Sequence, residues 1–173
     1  MLIRMIGIAI AFGAAVLAGA YVGNLDNFRI RDLTQMKKAL AILKAEIEFA
    51  HAPLPEALMG IAQRTAGPIG AMFLMLAERI DTDRGADVSQ LWAQCVLTLA
   101  PETYFNNEDV EQFIAFGKTL GFLDKGMQIA NIAIATDYIN EKMVRLNESR
   151  FKSGRMYRSL GFLGGLLIVV IFL

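Results

Sequence analysis

Three short motifs in this 173-residue chain carry residue types that could do chemistry. Glu48 and His51 have the Glu-x-x-His spacing of a di-iron ligand pair in a helical bundle, but such a site needs a second pair and the chain has only one histidine. Gly117-Lys118-Thr119 resembles the end of a phosphate-binding loop, but the required earlier glycine is absent. We therefore predict neither a metal site nor a nucleotide site at these positions.

The third motif, Asp81-x-Asp83, begins like a calcium-binding loop. Gly85 and Trp92 stand at the fifth and twelfth positions, where oxygen ligands are needed, so we interpret the run as a solvated loop. Cys95 lies on the apolar face of a predicted helix without a histidine nearby in the sequence, which favours a buried thiol over a nucleophile. We expect no catalytic residue, no cofactor and no small-molecule substrate, although a membrane hydrolase with an unrecognised site stays an alternative.

Two uncharged apolar runs, residues 5–22 and 159–173, lie near the two ends of the chain. At ~1.5 Å per helical residue the first spans roughly 27 Å, close to the thickness of the lipid hydrocarbon core. The second spans about 22 Å, and it lengthens if Arg155 and Arg158 extend their charged ends to the headgroups. We predict transmembrane helices at residues 5–23 and 156–173, with residues 1–4 on the extracytoplasmic side and a domain at residues 24–155.

The basic residues predict the orientation of the two helices. Arg4 alone precedes the first run, whereas four basic residues follow it: Arg29, Arg31, Lys37 and Lys38. The positive-inside rule then places the domain in the cytoplasm. A cleaved signal peptide is the competing interpretation, because residues 18–20 resemble a cleavage site. Before the second run lies a basic membrane rim, which comprises Arg150, Lys152, Arg155 and Arg158.

The domain is predicted to be all-α, an antiparallel six-helix bundle carried between the two transmembrane helices. Apolar residues at helical spacing and prolines at helix starts place the helices at residues 28–50, 55–64, 69–79, 88–99, 107–121 and from 124 onward. Asn107 is the predicted N-cap of the fifth helix. Whether the sixth helix continues into the second apolar run is left open. The predicted core residues include Leu33, Met36, Leu40, Leu43, Ile47, Leu91, Trp92, Cys95, Val96, Phe113, Phe116, Ile132 and Ile139.

Charge is distributed unevenly along the chain. Residues 46–141 hold 14 acidic and 5 basic residues, net −9, whereas residues 145–158 are net +4. An acidic domain repels nucleic acid, and a basic rim suits anionic membrane lipid. We expect a basic protein partner to meet exposed carboxylates in loops and first turns, unless these carboxylates only cap helices and keep the bundle soluble. The candidates are Asp81, Asp83, Asp87, Glu108, Asp109 and Glu111.

Three sequence blocks resemble one known family. They are AEIEFAHAPLPEAL at residues 45–58, FGKTLG at residues 116–121 followed by Asp124 and Gln128, and Lys152 with LGFLGGLLIVVIFL from Leu160. In this order and at this chain length they resemble the stage III sporulation protein AB family of endospore-forming bacteria. That family is similar to the cytoplasmic domains of the type II secretion system protein F platform.

The resemblance implies a non-enzymatic scaffold of the channel between mother cell and forespore. It implies anchoring in the outer forespore membrane, with the domain in the mother-cell cytoplasm, where it docks a secretion-type ATPase and other channel subunits. The platform proteins carry two such domains, so a pseudo-twofold arrangement here requires a homodimer. The alternative is a small membrane-bound sensor or adaptor whose acidic bundle binds a soluble regulator.

Overall fold

The computed structural model describes residues 2–50, 53–83, 85–120 and 124–172, and the regular secondary structure of these residues is helical, with no β-strand. The helices are α1 (Leu2–Val22), α2 (Leu25–Ala45), α3 (Leu54–Arg64), α4 (Gly67–Thr82), α5 (Val88–Leu99), α6 (Asn107–Gly117) and α7 (Lys125–Phe172). A π-helical turn (Glu46–Ala50) continues α2, and a 3-10 turn (Ala100–Glu102) follows α5. The all-α prediction is confirmed, and the six helices predicted between the apolar runs correspond to α2 through α7.

The chain divides into two compact units. One comprises residues 1–28 and 144–173, and the other comprises residues 29–143. In the first unit the Tyr21 and Phe28 rings lie 6.2 Å apart, and the Ser149 hydroxyl donates to Asp26 at 3.1 Å. Among the described residues, no helix is both long enough and apolar enough to cross a membrane. The predicted transmembrane helices at residues 5–23 and 156–173 stay a prediction.

Prolines set the starts of α3 and α4, as the sequence predicts. Pro53 is the N-cap of α3, and Pro55 lies in its first turn, where the missing N–H leaves no hydrogen bond unmade. Gly67 begins α4 with φ +69°, a left-handed conformation that glycine adopts without strain. The end of α4 was predicted too early. The Asp83 N–H donates to the Arg79 carbonyl at 2.9 Å, and this bond extends the helix through Asp81 to Thr82.

The bounds of α6 differ from prediction at both ends. Its N-cap is Asn106 rather than Asn107, because the Asn106 side chain accepts from the Asp109 N–H at 2.9 Å while the Asp109 carboxylate accepts from the Asn106 N–H at 3.1 Å. The helix ends at Gly117 rather than at Gly121, which lies outside the described residues. At this end the Asn131 amide of α7 donates to the Phe116 carbonyl at 3.1 Å and so satisfies a terminal acceptor.

Trp92 lies at the centre of the core of residues 29–143. It is fully buried, its indole N–H donates to the Phe113 carbonyl at 2.6 Å, and its ring meets Phe73 and Phe116 edge-on. A methyl group on Gly117 would overlap this ring, so the close packing of α6 on α5 requires glycine there. The predicted core is confirmed apart from two half-buried residues, Ile47 and Leu91.

The structure also answers the question that the sequence left open. The sixth bundle helix and the second apolar run form one helix, α7, of 48 residues.

Candidate protein-docking surface

The six acidic candidate residues do not form one surface. Asp81, Asp83 and Asp87 lie around the turn from α4 to α5, before α5 begins, whereas Glu108, Asp109 and Glu111 lie at the start of α6, after α5 ends. Between them in the chain lies α5, whose 12 residues form a helix about 18 Å long. The six candidates therefore lie in two separate regions.

In the first region, two of the three carboxylates belong to helix-capping residues. Asp87 is half-buried as the N-cap of α5 and accepts from the Ser89 N–H at 2.9 Å. Asp83 is exposed as the C-cap of α4. Asp81 is exposed in the last turn of α4 and lines a surface groove.

This groove lies between α3 and α4 and has a volume of about 590 Å³. Its floor is apolar and includes two large exposed side chains, Met59 at 47% and Leu74 at 42% exposure. Its rim carries three exposed carboxylates, Glu56 from α3 together with Glu78 and Asp81 from α4. We call this feature the acidic groove; its lining residues are Pro53, Pro55, Glu56, Met59, Leu74, Ala77, Glu78, Ile80 and Asp81.

The described charged residues that line the acidic groove are all acidic. Within the described part of the chain, none of its lining residues is basic. Arg79 follows Glu78 directly, but its guanidinium donates to Gln94 of α5 at 2.9 Å and so is held on the α5 side of α4. The groove can therefore attract a cationic ligand and repel an anionic one, and its floor can accept apolar side chains.

Two of the three rim carboxylates, Glu56 and Glu78, were not among the residues predicted from the sequence. Glu56 lies within the PLPEAL block, and Glu78 precedes Asp81 by three residues, a spacing that puts both on one face of α4. That spacing could have identified Glu78 as a neighbour of the candidate Asp81 from the sequence alone. The groove itself depends on how α3 packs on α4, which the spacing of residues along either helix does not specify.

The second region is built around a buried carboxylate. Asp109 has 0% exposure, although the sequence-based prediction placed it among the exposed residues. Arg29 of α2 donates to both of its oxygens, from Nε to Oδ2 at 2.7 Å and from Nη2 to Oδ1 at 2.9 Å, and the Tyr138 hydroxyl of α7 donates to Oδ1 at 2.8 Å. With the Asn106 N–H, four donors satisfy the carboxylate, which allows its burial. We call Arg29, Asp109 and Tyr138 the buried cluster.

The buried cluster shifts the acidity of its members. Burial lowers the pKa of Arg29, but the hydrogen bond and the negative charge of Asp109 outweigh it, so the pKa of Arg29 is raised. Burial also raises the pKa of Tyr138, and the hydrogen bond to Asp109 raises it further. Arg29 stays charged and Tyr138 stays protonated at neutral pH, which is the state in which both donate to Asp109.

The other two acidic residues of α6 have different surroundings. Glu108 is exposed, and it pairs with Lys142 of α7 at 2.6 Å. The Lys142 ammonium lies 5.3 Å from the centre of the Tyr138 ring, so it also faces the aromatic ring. Glu111 is exposed. Neither residue lines the acidic groove.

Part of the remaining candidate motifs cannot be placed in the structure. The side chains of the basic membrane rim, at residues 150–158, and all of His51 lie outside the described residues. Among the residues that the structure does describe, no three His, Cys, Asp or Glu side chains are grouped to hold a metal ion. Cys95 is buried as predicted, and burial raises the pKa of its thiol.

The fold and this surface define an all-helical domain protein with an acidic, apolar-floored groove on two adjacent helices. Its sequence assigns it to a particular family. The profile of stage III sporulation protein AB matches residues 4–173, so the chain belongs to that family.

Two relatives support the assignment. The chain is similar to the stage III sporulation protein AB of Bacillus subtilis (strain 168), with 27% identity over 171 residues that cover 98% of this chain and 99% of the relative. It is also similar to a solved structure of stage III sporulation protein AB, with a TM-score of 0.67 and 25% identity over 72% of this chain and 98% of the solved chain. Membership of this family gives the protein a role in sporulation.

Proposed function

We propose that this protein is a non-enzymatic scaffold that docks a cytoplasmic secretion-type ATPase and other channel subunits between mother cell and forespore. The acidic groove is the observation that carries the proposal. It combines exposed apolar side chains with three carboxylates on the surface of a packed helical domain. An exposed apolar patch that is rimmed by polar side chains is typical of protein interaction sites, whereas a single exposed apolar side chain is not.

The family resemblance supports the choice of partner. The PLPEAL block, on which that resemblance partly depends, supplies Pro53, Pro55 and Glu56 to the lining of the groove. Residues that carry the family likeness therefore also line the acidic groove. The buried cluster, in contrast, has no free carboxylate oxygen to offer a partner, because Asp109 is fully enclosed.

We further propose that the two apolar runs anchor the scaffold in the outer forespore membrane, with the domain in the mother-cell cytoplasm. The sequence supports this orientation through the basic residues that flank both runs on the domain side. The membrane rim of Arg150, Lys152, Arg155 and Arg158 would then meet anionic lipid headgroups.

Site-specific crosslinking in sporulating cells tests the docking function. A photoreactive residue at Leu74, within the groove, should give an adduct with the ATPase. The matched control is the same residue at Leu97, which is 57% exposed on α5 and does not line the groove. Absence of an ATPase adduct at Leu74, or equal adducts at both positions, contradicts the proposal. An adduct at Leu74 with a soluble regulator alone favours the adaptor function instead.

Thiol labelling in intact cells tests the orientation. With Cys95 replaced by alanine, a cysteine introduced at the exposed Gln90 should be shielded from a membrane-impermeant reagent until the cells are lysed. Labelling before lysis contradicts a cytoplasmic domain.

A further inference from the structure

We infer that the acidic groove binds an amphipathic helix that carries an apolar stripe with cationic residues on both sides of it. The inference rests on the proposed docking function and specifies the chemistry of the partner at that site. It follows from three properties of the groove, which are its length, its floor and the placement of its carboxylates.

The length of the groove matches a short helical segment. On α4 the lining lies within the eight residues from Leu74 to Asp81, which cover about 10 Å along the helix axis. This corresponds to two turns of a partner helix. A partner laid along the groove would therefore place apolar side chains at i, i+3 or i+4, and i+7 against the floor.

The floor suits apolar anchors of more than one shape. Met59 has three flexible torsions and a polarizable sulfur, so it adapts to different side chains. Ala77 is nearly fully buried at the base of the groove, and its small side chain leaves depth between α3 and α4. Prolines 53 and 55 fix the backbone at one end of the groove and lower the cost of ordering it on binding.

The carboxylates determine the charge of the partner. Glu56 projects from α3, and Glu78 and Asp81 project from α4, so acidic groups come from both helices that form the groove. Among the described residues, the side chains of Glu56 and Glu78 make no ion pair or hydrogen bond. Cations on both flanks of the apolar stripe would meet these groups, whereas an acidic helix would be repelled.

A second surface depression provides the matched control. It lies between α6 and α7, has a volume of about 140 Å³, and also exposes a large apolar side chain, Ile134. Of the described residues that line it, none is charged. It therefore resembles the acidic groove in its apolar surface but not in its charge.

Binding of a designed peptide to the full-length chain tests the inference. The probe is a fluorescent, hydrocarbon-stapled helix with leucines at i, i+3 and i+7 and lysines on both flanks; a scrambled peptide of equal composition is the control. The chain is embedded in phosphatidylcholine nanodiscs, which carry no net charge to adsorb the lysines. We expect the probe to bind at least about tenfold more tightly than the scrambled peptide, as measured by fluorescence anisotropy.

Variants assign the binding to the groove. Glu56→Lys with Glu78→Lys should weaken binding at least about tenfold, and Leu74→Ala should weaken it roughly fivefold. Ile134→Ala, in the uncharged depression, and Glu111→Lys, on α6, should leave the affinity unchanged. Circular dichroism of each variant separates lost binding from lost folding.

Several outcomes overturn the inference. Equal affinity for the designed and the scrambled peptide shows attraction by charge alone, and full displacement of the probe by spermidine shows a site for small cations. Loss of binding in the Ile134→Ala variant moves the site to α6 and α7. If the probe fails while Leu74 still crosslinks to the ATPase in cells, the proposed docking function stands and only the helix chemistry is wrong.

Discussion

Asp109 and Glu78 are both carboxylates on helices of residues 29–143, yet their surroundings are opposite. Asp109 is enclosed by donors from α2, from α7 and from the N-cap residue of α6, and none of it is exposed. Glu78 stands on the exposed rim of a groove and makes no side-chain hydrogen bond within the described part of the chain. The first carboxylate ties three helices together, whereas the second leaves its charge available to a ligand.

Because of this difference, the buried carboxylate should affect folding stability and the exposed carboxylate should affect binding. A buried charge that loses its partner leaves the other charge uncompensated, and the domain loses much of its free energy of unfolding. An exposed charge is solvated whether or not a partner is bound, so its removal changes association more than folding. Substitutions in the buried cluster and the acidic groove should therefore act on different measurements.

The largest expected effect comes from Asp109→Ala. The substitution leaves Arg29 without its counterion and removes one half of the α6 capping box, so it should cost on the order of 3 kcal/mol of unfolding free energy. Denaturant unfolding of the full-length chain measures it. Glu111→Ala on the same helix is the control and should stay within about 0.5 kcal/mol. Equal losses for the two variants would show that the cluster does not stabilise the fold.

The burial of Asp109 shows where the sequence-based prediction of the site stopped. Acidic residues in a first helical turn are favoured by the helix dipole, and this correctly predicted a helix start near Asn107. The same local pattern fits an exposed and a buried carboxylate equally well. The deciding partner, Arg29, lies 80 residues away in the chain, and helical spacing does not reveal contacts at that distance.

Tyr138→Phe tests a single bond of the buried cluster. The substitution keeps the ring and its contact with Phe113 but removes one of the four donors to Asp109. Loss of a hydrogen bond to a charged group should cost about 1.5 to 3 kcal/mol, less than the loss of the whole carboxylate. The measurement is the same unfolding experiment at pH 7. A variant as stable as the wild type would show that the remaining three donors suffice.

The raised pKa of Tyr138 predicts how this loss depends on pH. Below the ordinary tyrosine pKa of about 10, the Tyr138 hydroxyl is protonated in the folded and the unfolded chain. Its contribution to the free energy of unfolding is then fully present. Above that pH the unfolded chain releases the proton first, because the folded-state pKa is raised, so stability falls as pH rises. The difference in unfolding free energy between the wild type and Tyr138→Phe should therefore become smaller above about pH 10. A constant gap up to pH 11 contradicts a raised pKa.

The fold was more predictable than the groove. Trp92, Phe113 and Phe116 recur at helical spacing, and their burial followed from that spacing alone. Prolines 53 and 55 similarly predicted the start of α3. The acidic groove, however, arises from the packing of α3 on α4, which brings Glu56 and Glu78 to one surface from positions 22 residues apart. A pattern read along one helix does not contain that relation.

The smallest effect on stability is expected at the acidic groove. Glu56→Lys with Glu78→Lys replaces exposed carboxylates that make no described ion pair, so the unfolding free energy should change by less than about 0.5 kcal/mol per substitution. The change can even be favourable, because the domain between residues 46 and 141 has a net charge of −9 and repels itself.

The same variant should lose the crosslink from Leu74 to the ATPase. Salt screens charges beyond ~10 Å at 0.1 M. The rate at which the wild type associates with the ATPase should therefore fall as the salt concentration rises, whereas the rate for the variant should stay nearly constant. A large loss of stability in this variant would instead make the rim carboxylates part of the fold, as Asp109 is.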